Sequence, residues 1–278
     1  MNYRGLLGLE GKTYFPIDRC LHCGFIYARL LPSAEFLSKV YDLVISAEIA
    51  EKASWGLRDL ARRTEYIGTL LCLLRDDHCQ TILDFGCGFG ATTKLLTDCG
   101  IKVVAYDPSP VRVDAVKKRC TEALVTNDLN TVQANAPYAA VILDNVLEHV
   151  PQPHLLIEYI GGILGSGAIA YLSVPSYEES TVRRLQGDLQ RNDLAEMTIN
   201  PWEHLNYFNI KHLDWLMAKH KMTPLRSYEI PGVEIGLRPE SKLSRRIGNG
   251  IATSFRLLWY ALSGRATESV QKRFYRHS

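Results

Sequence analysis

The stretch that decides the fold opens with Thr81-Ile-Leu-Asp-Phe-Gly-Cys-Gly-Phe-Gly90 and closes with Ile101-Lys-Val-Val-Ala-Tyr-Asp107. Two short apolar runs, each suited to a buried parallel strand, enclose a glycine loop and a helical segment. The three glycines allow the backbone to turn tightly and to approach a ligand closely. In a right-handed βαβ unit both strands end at the same edge of the sheet. Asp107 is therefore expected beside the loop, placed to accept hydrogen bonds from two ribose hydroxyls.

The glycine spacing alone leaves the kind of nucleotide open. Gly86-x-Gly88-x-x-Ala91 also fits the dinucleotide fingerprint, so a nicotinamide-dependent oxidoreductase is one alternative. Asp84 argues against it, because a carboxylate two residues before the first glycine would repel a pyrophosphate. S-adenosylmethionine carries an ammonium and a sulfonium and has no phosphate, so an acid at the strand end suits it.

These residues resemble those of the class I S-adenosylmethionine-dependent methyltransferases, small-molecule type. Asp84 to Gly90 resembles the first motif of that family, and Asp107 resembles the acid after its second strand. The resemblance implies that Asp128 approaches the adenine amino group and that Asn145-Val-Leu-Glu-His149 lies beside the methionine end of the cofactor. The predicted cofactor-binding residues are Asp84, Gly86, Cys87, Gly88, Asp107, Pro108, Asp128, Leu129, Asp144, Asn145 and Val146.

The substrate side is predicted from the second half of the chain. Pro201-Trp-Glu-His-Leu-Asn-Tyr-Phe208 resembles the family's His-x-x-Tyr-Phe element before the last helix, which faces the substrate. His204 is the preferred general base and His149 is the second, since a histidine is partly deprotonated near neutral pH. His204 could equally orient its loop by hydrogen bonds. Asn206 and Tyr207 are predicted to bind the substrate.

The element pattern is βαβαβαβαβ, which predicts an α/β, Rossmann-like sheet with helices on both faces. We expect seven mostly parallel strands, the last two being a hairpin over Pro224–Ile230 and Val233–Leu237. The predicted division has an N-terminal ribbon remnant and helical cap (1–75), a cofactor-binding domain (76–240, with a lid insertion at 176–209) and a basic helical tail (241–278).

Cys20-Leu-His-Cys23-Gly24 resembles the second knuckle of the N-terminal zinc ribbon found in many such methyltransferases. Structural zinc needs four ligands, and the first pair of cysteines is absent. We therefore expect no metal. Cys20 and Cys23 are the candidate ligands, His22 is a third of poor geometry, and the alternative is a ribbon remnant with two free thiols.

The charge distribution and the number of cysteines limit which partners and which cellular compartment are expected. The net charge is +2, but residues 241–278 hold eight lysines and arginines and one acid. Within them, 251–262 has the apolar spacing of an amphipathic helix, which could pack on its own domain, on a second subunit or on a membrane surface. No nucleic-acid module and no membrane-spanning run is found. Seven cysteines, an odd number, and no signal-peptide pattern favour a cytoplasmic protein.

The sequence therefore predicts a methyltransferase that acts on an O, N or C nucleophile of a small molecule. The family's ribbon suggests a sugar, a nucleotide-sugar or a secondary metabolite as the acceptor. The remaining alternative is a protein that binds S-adenosylmethionine without transferring its methyl group.

Overall fold

The computed structural model of the chain describes residues 16–33, 35–36, 47–74, 80–175, 177, 203–226, 229–230 and 270–278. The strands are β1 (Ile17–Arg19), β2 (Ile26–Ala28), β3 (Thr81–Phe85), β4 (Lys102–Tyr106), β5 (Leu124–Thr126), β6 (Tyr138–Asp144), β7 (Leu164–Pro175), β8 (Asn206–Tyr207), β9 (Met222–Pro224) and β10 (Val270–His277). The helices are α1 (Ala47–Ser54), α2 (Leu57–Leu73), α3 (Ala91–Asp98), α4 (Pro110–Arg119), α5 (Leu129–Ala134), α6 (Pro153–Ile163) and α7 (Ile210–Lys219).

A seven-stranded sheet forms the body, in the order β5-β4-β3-β6-β7-β10-β9. The pairs from β5 to β7 are parallel, whereas β10 is antiparallel to both of its neighbours. The α/β, Rossmann-like fold with one antiparallel strand is confirmed. The chain order reverses on either side of β3, so β3 and β6 end at the switch point where open α/β sheets bind ligands.

Both faces of this sheet are covered, because successive residues of a strand point to opposite sides. Leu83, Val104 and Val141 lie in one apolar cluster. Ile82, Val103 and Ala140 lie in the other. A sheet buried on both faces accounts for the continuous apolar runs of its strands, which the sequence shows without alternation.

The prediction for the last strand is wrong. The antiparallel strand is β10, from the predicted tail, and it pairs with β7 from Val270↔Pro175 to Arg276↔Ile169. Of the described residues in the predicted Pro224–Ile230 strand, only Pro224 lies in a strand, at the end of β9. Residues 233–237 and the predicted tail helix over 251–262 lie outside the described residues.

The basic side chains of β10 make it unlike a buried strand in the sequence. Acidic side chains on neighbouring elements compensate part of that charge in the structure. Tyr275 is fully buried, and its hydroxyl donates to Asp214 Oδ1 at 2.8 Å. Arg273 lies 3.6 Å from the same carboxylate, and Arg276 lies 3.4 Å from Glu229. Part of the tail's positive charge is therefore compensated within the fold.

A second, three-stranded sheet has the order β1-β2-β8. The ribbon hairpin β1–β2 pairs with Asn206–Tyr207, so this sheet crosses the predicted boundary at residue 75. The division into 1–75, 76–240 and 241–278 stays a prediction. Across the part of the chain that the structure describes, every helix is too short or too polar to cross a membrane.

Candidate active site

The loop between β3 and α3 is held against the end of β4. The N–H groups of Gly86 and Cys87 donate to the carbonyl of Tyr106 at 2.7 and 2.9 Å, and the N–H of Gly88 donates to Asp107 Oδ2 at 3.0 Å. Gly86 and Gly88 have φ of 79° and 56°, the left-handed region that favours glycine. A Cβ added at Gly86 would lie 2.6 Å from Val146 Cγ2, whereas one at Gly88 would meet no described atom within 4 Å. The open side at Gly88 is where a ligand can approach the backbone.

Asp107 lies at the end of β4 beside this loop, as its position in the βαβ unit predicts. Its carboxylate is 1% exposed and also accepts from the N–H of Ser109 at 3.0 Å. Burial raises the pKa of Asp107, although Arg112 at 3.6 Å and the two N–H groups oppose that rise. Pro108, which follows it, is exposed. The ribose contact of Asp107 stays a prediction.

Asp84 lies beneath the loop rather than at its surface. The carboxylate is 3% exposed and accepts a hydrogen bond from Thr93 Oγ1 at 2.6 Å. Burial raises the pKa of Asp84 to about 7. Burial also raises the pKa of the neighbouring Cys87 thiol. An acid with such a pKa is partly ionised near neutral pH, so a cationic ligand close by would favour its charged form.

Asp128 is the N-cap of α5. Its oxygens accept from the N–H groups of Asn130 and Thr131 at 3.0 and 3.1 Å and from Thr131 Oγ1 at 2.9 Å. These hydrogen bonds hold the pKa of Asp128 below its ordinary value. The sequence analysis missed this cap, although an Asp before a short helix is a recognisable signal. Leu129 next to it is 42% exposed, which leaves an apolar surface at this edge.

Asp144 is occupied by a partner that the sequence analysis missed. Arg62 of α2 donates to both of its carboxylate oxygens, at 2.7 and 2.8 Å. Burial would raise the pKa of Asp144, but the guanidinium outweighs burial and holds that pKa below its usual value. This carboxylate therefore fixes α2 over the end of β6, which differs from the predicted cofactor contact. No local pattern links two residues 82 positions apart.

The chain turns sharply after Asp144. Asn145 has a φ of 56° and is exposed, and its N–H donates to the carbonyl of Ser173 at 2.9 Å. The next residue, Val146, packs against Gly86, as the 2.6 Å contact of an added Cβ shows. The loop after β6 is thus in contact with the glycine loop, as the resemblance implies.

Glu148, His149 and His204 come together at the end of this loop. Glu148 is 1% exposed, and neither carboxylate oxygen has a hydrogen-bond partner among the described residues. His149 Nε2 lies 3.8 Å from Glu148 Oε1, and the rings of His149 and His204 meet edge to face with centroids 5.0 Å apart. Burial raises the pKa of Glu148 well above its ordinary value. Burial, with a smaller effect of His204, lowers the pKa of His149 to about 3.

Asn206 holds this loop, and Tyr207 packs against a neighbouring ring. The Asn206 side-chain amide donates to the carbonyls of Leu147 and Val150 at 3.2 and 2.6 Å. Tyr207 is 4% exposed and packs on Tyr177 with ring centroids 5.3 Å apart. Both side chains are buried, and their contact with a substrate stays a prediction. Asn206 has the geometry of a positioning residue.

The cysteine knuckle is a tight turn. The N–H of Gly24 donates to the Cys20 carbonyl, and the N–H of Cys20 donates to the Phe25 carbonyl, both at 2.8 Å. N–H groups of Cys23 and His22 hold the pKa of the Cys20 thiol below its ordinary value. None of the six described cysteines forms a disulfide. That Cys20 and Cys23 bind no metal stays a prediction from the sequence.

A family model described as a methyltransferase domain matches residues 54–223, so the chain belongs to the methyltransferase-domain family. Its sequence relatives include proteins named ubiquinone biosynthesis O-methyltransferase. The one from Paraburkholderia xenovorans (strain LB400) is 29% identical over 101 residues, which are 34% of this chain and 44% of that protein. The one from Xanthomonas euvesicatoria pv. vesicatoria (strain 85-10) is 30% identical over 118 residues, or 40% and 48%. The chain thus spans less than half the length of the curated relatives it matches.

Solved structures with this fold include two methyltransferases in complex with S-adenosylhomocysteine. The plantazolicin methyltransferase has a TM-score of 0.55 at 14% identity, covering 87% of this chain and 94% of that one. The Burkholderia thailandensis 1,6-didemethyltoxoflavin-N1-methyltransferase has a TM-score of 0.50 at 17% identity, covering 75% and 89%. At such low identities these structural likenesses show the fold alone. With the family match, they confirm the resemblance to the class I S-adenosylmethionine-dependent methyltransferases, and S-adenosylmethionine is the cofactor of that class.

Proposed function

We propose that this chain transfers the methyl group of S-adenosylmethionine to an oxygen of a small-molecule acceptor. The observation that carries the proposal is the contact between the glycine loop and the loop after β6, which brings Gly88, Asp107 and the Glu148–His149–His204 group to one edge of the sheet. Relatives named O-methyltransferases, 29% to 30% identical, favour oxygen over the nitrogen or carbon that the sequence leaves open. The family match and Asp84 leave the oxidoreductase alternative without support.

The residues present fit the cofactor. Beyond Gly88 there is open space that a Cβ would enter, and Asp107 presents a carboxylate beside it. Asp107 would accept from the ribose hydroxyls, Leu129 would pack on the adenine, and Asp84 would compensate the positive charge. When bound, S-adenosylmethionine supplies a methyl group on an activated sulfonium. The work left to the protein is to orient the acceptor and, where needed, to take its proton.

His204 is our preferred base, and the environment of His149 supports that choice. A histidine whose pKa is held near 3 is neutral at pH 7 but takes a proton poorly. His149 would then orient and shape the site. The acceptor class, a sugar, nucleotide-sugar or secondary-metabolite hydroxyl, and the cytoplasmic location remain part of this proposal.

Titration calorimetry with S-adenosylhomocysteine tests the cofactor half of the proposal. We expect 1:1 binding, and no binding at high micromolar ligand would contradict it. Mass spectrometry of acceptor panels then tests the transfer. A gain of one methyl group on hydroxyl compounds, with none on matched amines, is the expected result. Methylation of amines alone would contradict oxygen as the target, and cofactor binding with no transfer to any panel member would favour a binding protein without transferase activity.

A further inference from the structure

Three metal-binding side chains meet at the edge of the sheet. One ligand atom from each of Glu148, His149 and His204 lies within 4.8 Å of the others. Two donors on a tetrahedral cation with bonds of about 2.1 Å are about 3.4 Å apart. The Glu148 Oε1 to His149 Nε2 distance of 3.8 Å is close to that value. Side-chain rotations that bring all three donors from within 4.8 Å of one another to about 3.4 Å would complete such a set.

The tautomer of His149 leaves a lone pair facing Glu148. His149 Nδ1 is 3.0 Å from the carbonyl of Glu203, and a carbonyl only accepts, so Nδ1 carries the hydrogen. Nε2 of the neutral ring is then an acceptor that faces a carboxylate oxygen. The two atoms are 3.8 Å apart, which is too far for a hydrogen bond. A histidine that donates its other nitrogen to a backbone carbonyl has the usual arrangement of a metal ligand.

Glu148 has no other use for its carboxylate among the described residues. Both oxygens lack a hydrogen-bond partner there, and no described lysine or arginine forms an ion pair with it. The loop is held by the main chain instead, since the Glu148 carbonyl accepts from the N–H groups of Leu205 and Asn206 at 2.7 and 3.1 Å. Buried carboxylates are ordinarily paired or bound to a metal.

We propose that Glu148, His149 and His204 form a binding site for a divalent transition-metal cation of the Zn²⁺ type. Two imidazole nitrogens and one carboxylate oxygen are the donor set of catalytic zinc sites, whereas Mg²⁺ prefers oxygen donors. Three protein ligands leave a coordination position for an oxygen from outside. A role follows that rests on the proposed methyl transfer: with the cation bound, His204 is a ligand instead of the base, and an acceptor hydroxyl in the open position would lose its proton to solvent more readily.

Cobalt(II) serves as a spectroscopic probe of this site. The full chain carrying Cys20→Ser and Cys23→Ser is titrated with Co²⁺, so that the knuckle thiols do not contribute. We expect one Co²⁺ per chain, with visible d–d absorption and no sulfur-to-cobalt charge-transfer band, and we expect displacement by Zn²⁺ but not by Mg²⁺. Replacement by millimolar Mg²⁺, or no Co²⁺ binding at 100-fold excess over the protein, would overturn the proposal.

Ligand variants assign the site. Glu148→Gln and His204→Ala should each lower the Co²⁺ affinity by about 100-fold or more, since even outer-shell changes cost 10- to 100-fold. His154→Ala, which removes an exposed histidine at the start of α6, is the matched control and should change nothing. Circular dichroism establishes that each variant is folded. Unchanged Co²⁺ affinity in folded Glu148→Gln and His204→Ala would refute the assignment.

The same samples separate this inference from the proposed function. S-adenosylhomocysteine binding should be the same in the parent and in His154→Ala, with or without a chelator, because the cofactor contacts proposed at Gly88 and Asp107 do not involve the metal. Co²⁺ binding without S-adenosylhomocysteine binding would leave the metal site standing and remove the transferase. Cofactor binding without Co²⁺ binding would remove the metal site and leave the proposed transferase standing.

Discussion

Replacing Arg62 with methionine should lower the free energy of unfolding by about 2–4 kcal/mol. Arg62 donates to both oxygens of Asp144, at 2.7 and 2.8 Å, and the two side chains are 17% and 9% exposed. Removing one partner of a buried pair costs roughly 3–5 kcal/mol, because the other charge stays buried. Residual exposure, the Tyr66 hydroxyl at 3.4 Å and Arg63, whose Nε lies 4.0 Å from Asp144 Oδ2, reduce that cost. Because methionine retains an apolar stem like that of arginine, the loss of unfolding free energy measures the effect of removing the guanidinium charge.

Urea unfolding followed by circular dichroism at pH 7 measures the loss. Arg29→Met is the matched control, because Arg29 donates to both oxygens of Asp18 at 2.7 and 2.5 Å but is 61% exposed. An exposed pair contributes little, so the control should lose only a small fraction of the Arg62 effect. Adding Asp144→Asn to Arg62→Met should recover at least half of the stability. Equal losses for the two arginine variants, or no recovery in the double variant, would refute the reasoning.

Three further results are expected. Asp107→Ala should weaken S-adenosylhomocysteine binding by about 30- to 1,000-fold in calorimetry, because two charge-assisted hydrogen bonds are lost, and Asp128→Ala should weaken it by about tenfold or less. Gly88→Ala should weaken the same binding and lower the Tm by the cost of a left-handed alanine, and Gly90→Ala should lower the Tm further, since both glycines have a positive φ but only the Gly90 Cβ would lie 2.9 Å from a Val116 methyl. Asp84→Asn should flatten the pH dependence of stability between about 4 and 7 in urea titrations. The folded pKa of about 7 lies above the ordinary 3.8, so the parent loses stability as pH rises through that window, by up to about 4 kcal/mol.

Each of these has an outcome that would count against it. Full cofactor affinity in folded Asp107→Ala would remove the ribose assignment. Equal melting temperatures for Gly88→Ala and Gly90→Ala would mean that the contact with Val116 relaxes without cost. Parallel stability curves for the parent and Asp84→Asn from pH 4 to 7 would show that Asp84 keeps an ordinary pKa.

The sequence predicts best the features that depend on neighbouring residues. The β3–loop–α3–β4 unit is predicted from two apolar runs and three glycines within 27 positions. Asp107 does lie beside that loop, where its carboxylate accepts a hydrogen bond from the N–H of Gly88 at 3.0 Å. The handedness of the βαβ unit makes that contact a necessary consequence of the local pattern. Pro110 at the start of α4 follows from the same kind of local signal.

Features that depend on distant residues escaped the sequence analysis. Arg62 lies 82 positions from Asp144, and neither residue carries a mark that pairs it with the other. The strand β10 was missed because Lys272, Arg273 and Arg276 make it resemble a basic tail. Acids elsewhere in the chain, Asp214 and Glu229, compensate part of that charge. Tertiary pairing overrides composition in both cases.

The ribbon and the loop after β6 are joined by consecutive main-chain hydrogen bonds. The N–H of Ala28 donates to the Leu205 carbonyl at 2.8 Å, and the N–H of Leu205 donates to the Glu148 carbonyl at 2.7 Å. Phe25 adds a ring contact to Phe208 at 5.0 Å. The strand that follows the cysteine knuckle, β2, thus has a structural use, since it anchors the segment that carries His204. The geometry of the Glu148 group depends on this strand, so the remnant ribbon belongs to the architecture of the site.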